Sequence, residues 1–406
     1  MNFEHYFMEY TATENSSYRD IFNPNKFDLY KNDTKINDDI RLIDHLDHNF
    51  VEVQDGTTKL DVQFAQGTKE NGQNNKDIKT LKFGPYLNHS DGHVGYDWTR
   101  VQLKTGENAF SNCTALTSVD FGKGLSDTSE GANFKNSHLS GLNTEKVTSF
   151  EKMFWNCEAL EDVKMAYCNT SEVTTMESMF NNCDALKSID LSGWNTESLT
   201  TVQNMFIACD NLETVDLSGW DVRKITNFQG MFTNAKMLKA VNLKGWNLPT
   251  GTVTGYAMFQ NTKITKMEIE IPTQSTLSVR NASLMFYNTQ LDSATITGKI
   301  TITEEAISMF ADCKNLKKLD LTGWTFSENV KLSSMFSGCT SLKTLILDGW
   351  KFGNNVTVTE MFKNCPNGMT IYVRNVDENT RHKLESAIYD AKLDVNWRTQ
   401  TDTKNN

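Results

Sequence analysis

The pair Met-Phe returns along this chain at a nearly constant step, and that step limits what the chain can become. Phe154, Phe180, Phe206, Phe232, Phe259, Phe286, Phe310, Phe336 and Phe362 close the pair, at intervals of 26, 26, 26, 27, 27, 24, 26 and 26 residues. A degenerate opening copy, Asn-Ala-Phe-Ser-Asn-Cys, puts Phe110 in the same series. Three residues after most of these comes Cys, at 113, 157, 183, 209, 313, 339 and 365, so seven of the eight cysteines belong to the repeat. A spaced apolar triplet follows, such as Leu186, Ile189 and Leu191, or Leu316, Leu319 and Leu321. That L-x-x-L-x-L spacing at a fixed period marks a stacked array, in which one unit buries its apolar face only against its neighbours.

Two periodicities describe one unit. Val215 and Leu217 stand two apart and share one side of a short strand. Leu199, Val202, Met205, Phe206 and Cys209 recur at three and four, the spacing of one face of a helix or helical turn. Each repeat is therefore expected to run from a strand through a Gly-Trp turn and one to three helical turns to the next strand. The expected fold is an α/β repeat, a leucine-rich-repeat solenoid of about ten rungs with N- and C-terminal caps. Met, Phe and Cys form ladders inside it.

The segment VTTMESMFNNCDALKSIDLSGWNT, residues 173–196, resembles the BspA-like leucine-rich repeats of bacterial surface proteins. Their consensus reads approximately N-T-x-x-V-T-x-M-x-x-M-F-x-x-C-x-x-L-x-x-L-D-L-S-x-W/F, and the resemblance covers about residues 109–375. It implies adhesion and ligand binding at a bacterial surface; related repeats occur in protist surface proteins and in phages. The rungs after Phe259 and Phe286 depart from the pattern: they lose one residue before the strand, carry Thr262 and Thr289 in place of Cys, and lack Gly-Trp. They are expected to bulge or narrow the solenoid. A sorting motif and a lipid-modified Cys are missing, so covalent anchoring is not implied.

A net charge of -11 argues against general attraction to nucleic acid or to an anionic membrane. No run of about 18 apolar residues suggests membrane insertion, and the start MNFEHYFMEY has neither a basic n-region nor an apolar h-region.

Outside the array, residues 51–108 read as irregular N-terminal rungs or a cap, with Ile78, Leu81 and Phe83 repeating the strand spacing. Residues 376–406 read as a C-terminal capping helix and tail, with Leu384, Ile388 and Leu393 on its apolar side. Residues 1–50 read as an aromatic helix and linker, because Phe3, Tyr6, Phe7 and Tyr10 fall on one helical face. That stripe suits either a cap on the first rungs or a helix that docks into an assembly partner.

Little in the sequence offers chemistry. One Cys per rung at an apolar position reads as a small buried hydrophobe, and Cys168, off the ladder, is the one candidate for a reactive thiol. His45 and His48 beside Asp44 and Asp47, and His89 and His93 around Asp91, do not match a dedicated metal site. No phosphate loop or nucleophile elbow is present. The expectation is a protein that is not an enzyme and takes no cofactor or metal.

What remains is surface. Residues alternating with the buried strand positions point outward, and Asp120, Asp190, Asp216, Glu268, Asp320 and Tyr372 are the candidate binding face. With the neighbouring hydroxyl row they make an acidic strip for a protein or glycan partner; the alternative is that the Asp residues bond the next turn. Trp194, Trp220, Trp246, Trp324 and Trp350 read as a stacked ladder or as an aromatic platform for carbohydrate. The function expected is binding or adhesion, at a cell surface or secreted. The alternative is a structural or receptor-binding part of a phage tail or virion, attached through residues 1–50.

Overall fold

The computed structural model describes residues 105–121, 144, 146–165, 168–247 and 249–399 in full. Before these it describes only the backbone of Phe7–Ala12, Phe27–Lys31, Thr34–Lys35, Ile40–His45, Phe50–Asp55, Ile78–Gly84, Arg100–Leu103 and Leu142–Asn143. The described residues form a parallel-strand β-solenoid of about eight turns with little helix. The chain separates into two compact units: Met1–Leu199 with Cys209–Asp221 and Asn242–Trp246, and Thr200–Ala208 with Val222–Val241 and Asn247–Asn406.

In the first unit, Asp162–Lys164, Ser118–Asp120 and Ile78–Gly84 pair in parallel. Phe7–Ala12 then pairs antiparallel with Ile78–Gly84 and with Phe50–Asp55, which pairs with Ile40–His45. A second sheet runs Thr34–Lys35, Phe27–Lys31, Arg100–Leu103, Leu142–Asn143. Further along, Ser188–Asp190 pairs in register with Thr214–Asp216.

In the second unit, six parallel strands run in the order Lys266–Glu270, Ser293–Thr297, Lys318–Asp320, Thr344–Ile346, Met369–Tyr372, Val395–Arg398. A second parallel sheet carries Val253–Thr254, Leu277–Asn281, Ile300–Glu305 and Trp324–Phe326. The two Thr-bearing rungs do not bulge the main sheet, where Lys266, Ser293 and Lys318 stay in register. Their irregularity falls in the second sheet, as register shifts at Val253/Thr254 and between Val279 and Asn281.

The Met-Phe segments are not helical. Two residues with left-handed backbone flank every repeat Phe, at positions two before and two after it: Ser178 and Asn182 at φ 54° and 61°, Ser308 and Asp312 at φ 53° and 58°. An α-helix of L-residues cannot carry such a residue every fourth position. The backbone instead makes overlapping turns and sends alternate N–H groups to different partners. Met153 N donates to Phe150 O within its own rung at 3.1 Å, whereas Phe154 N donates to Met179 O one rung on at 2.8 Å. Turns three to four residues long put Met, Phe and Cys on one side just as a helix would, which is why the apolar spacing alone suggested helix.

The expected ladders form. Phe110 stacks on Phe154 and Phe154 on Phe180 at 5.2 and 5.4 Å between centroids. In the second unit Phe232, Phe259, Phe286 and Phe310 stack at 5.3, 5.5 and 5.2 Å. All are buried. Full burial of such a ring stabilises by about 1.5–3 kcal/mol. Beside them runs an asparagine ladder: Asn182 Nδ2 donates to Asn156 Oδ1 at 2.6 Å, and Asn156 Nδ2 to Asn112 Oδ1 at 3.1 Å.

Among the described residues one α-helix, α1, spans Glu378–Asp390 and buries Thr380, Leu384, Ala387 and Ile388. Asp377 caps it by accepting from Thr380 N at 2.8 Å. It closes the end of the second sheet's ladder: Phe352 N donates to Thr380 Oγ1 at 2.8 Å, and Asn379 Nδ2 to Phe352 O at 3.2 Å.

Candidate binding face

Strand pleating decides which side chains face out. In Ser188–Asp190 the middle Ile189 is buried while Ser188 and Asp190 are exposed. The same alternation places Asp216, Glu268, Asp320 and Tyr372 on the outer face of their strands, and Asp120 at the end of Ser118–Asp120. Asp120, Asp190 and Asp216 belong to the first unit; Glu268, Asp320 and Tyr372 belong to the second.

Three of these carboxylates hold the turn after their strand. Asp190 Oδ1 accepts from Ser192 N at 2.9 Å, Asp216 Oδ1 from Ser218 N at 2.9 Å, and Asp320 Oδ1 from Thr322 N at 3.1 Å. These are Asx turns, which give a turn N–H a partner the backbone does not supply. Asn242 does the same for Lys244 N at 3.1 Å, so the amide serves as well as the acid. The Ser218 N–H, its hydroxyl and Asn242 hold the Asp216 carboxyl below the usual carboxylate range. Asn242 Nδ2 reaches both its oxygens, at 3.1 and 3.0 Å.

Tyr372 carries a neighbour that the sequence reading missed. The Arg374 guanidinium lies over its ring at 5.2 Å and bonds Asp348, with Nε 2.8 Å from Oδ2 and the Arg374 backbone N 2.7 Å from Oδ1. Lys266 and Lys318 stand exposed in the row beside these candidate positions, which the sequence reading counted into an acidic, hydroxyl-rich strip, and Lys317 and Lys343 are exposed just before their strands. Their signal in the sequence is Lys recurring just before and at the start of successive strands, which total charge conceals.

The tryptophans form the inward ladder rather than a platform. Each indole Nε1 donates to a carbonyl one rung back: Trp220 to Leu191 O at 2.9 Å, Trp324 to Ile296 O at 2.7 Å, Trp350 to Leu321 O at 2.8 Å. Trp194, Trp220, Trp324 and Trp350 are buried and Trp246 is half-buried.

The thiols are more than apolar filler, because those of Cys157, Cys183, Cys209, Cys313, Cys339 and Cys365 each donate to the carbonyl of the preceding rung's Phe. Cys157 Sγ lies 3.0 Å from Phe110 O, Cys339 Sγ 3.1 Å from Phe310 O, and Cys365 Sγ 3.2 Å from Phe336 O. Burial raises the thiols of Cys113, Cys209 and Cys365 to about 12 and that of Cys313 to about 11. Half-buried Cys168 is also raised by desolvation, which removes the thiolate that reactivity needs. Where Cys is replaced, Thr262 and Thr289 donate their hydroxyls to Phe259 O and Phe286 O of their own rungs, at 2.9 and 3.0 Å.

Of the proposed docking stripe, Phe3 and Tyr6 lie outside the described residues. Phe7 and Tyr10 stand in the strand Phe7–Ala12, paired on both sides, so the helical reading is corrected there. The segment is rich in Phe, Tyr and Thr, which favour a pleated strand, and four aromatic positions are too few to fix a period. Its pairing extends the first rungs, as a cap does. His48, His89 and His93 lie outside the described residues, and of His45 only the backbone is described. Among the described residues no three His, Cys, Asp or Glu gather as metal ligands, and no helix is long and apolar enough to cross a membrane.

Comparison with known proteins gives a family match and structural matches of low similarity. The family described as "Mycoplasma protein of unknown function, DUF285" matches residues 123–246, 160–269 and 253–371. No curated protein matches the chain. Among solved structures, the crystal structure of a TLR13–ssRNA13 complex is similar at 13% identity and a TM-score of 0.24, over 74% of this chain and 58% of that one.

Proposed function

The chain belongs to the DUF285 family, and from that premise we propose that it is a non-enzymatic binding module. It presents the outward face of its parallel strands to a protein or glycan partner, at a bacterial cell surface. The finer likeness to BspA-like surface repeats supports the setting. One observation carries the reading: the repeat's Phe rings, most of its Trp side chains and its thiols are spent on inward contacts between rungs, which leaves the in-register outer strand positions as the surface a partner can read.

The test is to screen the full chain against glycans and surface proteins, and then to compare it with the Asp190→Asn/Asp216→Asn double variant. Asn242 shows that an amide keeps the turn bond, so the melting temperature should hold while binding through this face weakens. Ligands bound equally by both proteins, and also by variants of the second unit's strand face, would remove the strand face from the function.

A further inference from the structure

We propose that the terminal strand Val395–Arg398 is a dimerisation edge, which pairs antiparallel, about a twofold axis, with the same strand of a second copy of this chain.

Val395–Arg398 ends the six-stranded sheet, and among the described residues no strand pairs on its other side. A strand edge presents N–H and C=O groups that template a further strand. The existing ladder fixes which groups those are. Gly368 N donates to Asp394 O at 2.8 Å and Val373 N to Arg398 O at 3.0 Å, so the even-numbered residues turn their backbone groups into the sheet. Val395 and Trp397, one residue out of phase, turn theirs away from it.

The apolar side of this rung is incompletely covered. Met369, Ile371 and Val373 are buried one rung back, whereas Leu393, Val395 and Trp397 in the last rung are half-buried. Val395 and Trp397 stand in register with Met369 and Ile371, and the difference between the two rows is the neighbour that a further strand supplies.

The run Leu393-Asp394-Val395-Asn396-Trp397-Arg398-Thr399 complements its own reverse. A twofold axis through Asn396 sets Val395 opposite Trp397 of the second copy and Trp397 opposite its Val395. These are the residues whose backbone groups face outward, so each such pair exchanges two hydrogen bonds. The same axis sets Asp394 opposite Arg398 on the exposed face, where opposite charges stabilise a cross-strand pair; on the inner face it sets an aromatic ring against a β-branched side chain, which also stabilises. An axis through Val395 would instead oppose Lys392 and Arg398, and one through Trp397 would oppose Arg398 and Asn396. An axis between residues would set inward-turned backbone groups against outward-turned ones and close no ladder. Charges on an edge ordinarily discourage pairing; here their signs and spacing select a second copy of the same edge, the isologous contact of a twofold dimer. One strand of four residues buries far less than the ~1,600 Å² of a stable interface, so the dimer forms at high concentration and separates on dilution.

Sedimentation velocity of the full chain, from micromolar to near-millimolar concentration, tests this. The wild type should pass from monomer to dimer. Asp394→Arg and Arg398→Asp each set like charges opposite one another in both pairs, and each variant alone should raise the dimer dissociation constant about tenfold or more. Mixed one to one they should dimerise again, because one variant then carries two positive charges on the strand and the other two negative, and both pairs match. Val395→Pro, which removes an outward N–H and leaves the bonds within the sheet, should remove the dimer without any change of charge. Melting temperatures should match, and Asp394→Lys or Arg398→Glu stands in for a charge variant that melts early. A wild type that stays monomeric at the highest concentration, a dimer that both charge variants keep, or a mixture no more associated than its components would overturn the proposal.

Discussion

The thiol of Cys183 donates to the carbonyl oxygen of Phe154, 3.2 Å away and one rung earlier. A buried backbone carbonyl thus finds its partner in a side chain chosen for size and for a weak donor. Replacing Cys183 by Thr should retain more stability than replacing it by Val, its apolar isostere, by about 1 kcal/mol in urea unfolding. The natural Thr262 and Thr289 place a hydroxyl at this position and donate it to the phenylalanine carbonyl of their own rung. Equal stability of the two variants would mean that the sulfur acts by volume alone.

The same thiols set the behaviour in alkali. Folding raises their pKa from 9.0 to about 12 at Cys113, Cys209 and Cys365 and to about 11 at Cys313. The folded chain then holds more protons than the unfolded one between these values, so stability falls as pH rises. The contribution is whole below pH 9 and is lost as pH climbs through 11 to 12. Melting temperature followed from pH 8 upward should drop across that window, and a thiol reagent at pH 8 should label the native chain slowly and all eight cysteines once it is unfolded. Rapid labelling of a ladder cysteine at pH 8 would contradict the packing.

Asn182 combines a left-handed backbone, φ 61°, with a ladder bond to Asn156. Asn182→Val loses both and should cost about 2 kcal/mol or more. Asn182→Gly keeps the backbone and should cost about 1 kcal/mol. Denaturant midpoints rank the two, and the reverse order would assign the position to packing instead.

Trp155 is exposed at 36%, whereas Trp220 is fully buried with its indole bonded to Leu191 O. Trp155→Phe should lower the fraction of fluorescence that iodide quenches, and Trp220→Phe should leave the quenchable emission in place while lowering stability by about 1 kcal/mol. Quenching lost with Trp220 would mean that the inner ladder is open to solvent.

Much of this fold can be read directly from the residues. The step between Met-Phe pairs, the buried leucine columns and the inward Trp and Cys ladders follow from spacing, because stacked rungs repeat each environment. Helix and overlapping turns could not be separated by the apolar residues, since Met205, Phe206 and Cys209 share a side in either case. The discriminating signal was Asn two residues after Phe, at 112, 156, 182, 234, 261, 288 and 364, a residue that tolerates the left-handed backbone. The candidate binding face was half legible. Outward positions follow from strand alternation, but the Asx turns of Asp190 and Asp216 depend on a loop path that spacing does not encode.

The bond from Asn182 to Asn156 has the same form as the bond from Asn156 to Asn112, and this equivalence reaches back to the gene. A deletion of residues 157–182 would join Asn156 to Cys183 and recreate the Asn-Cys junction found in the intact chain. Phe154 would inherit the neighbours of Phe180, and the thiol of Cys183 would still lie one rung from a phenylalanine carbonyl. Recombination between copies can therefore shorten or lengthen such a protein by whole units without inventing a new core, so that length can vary among descendants while the chemistry of each layer is conserved.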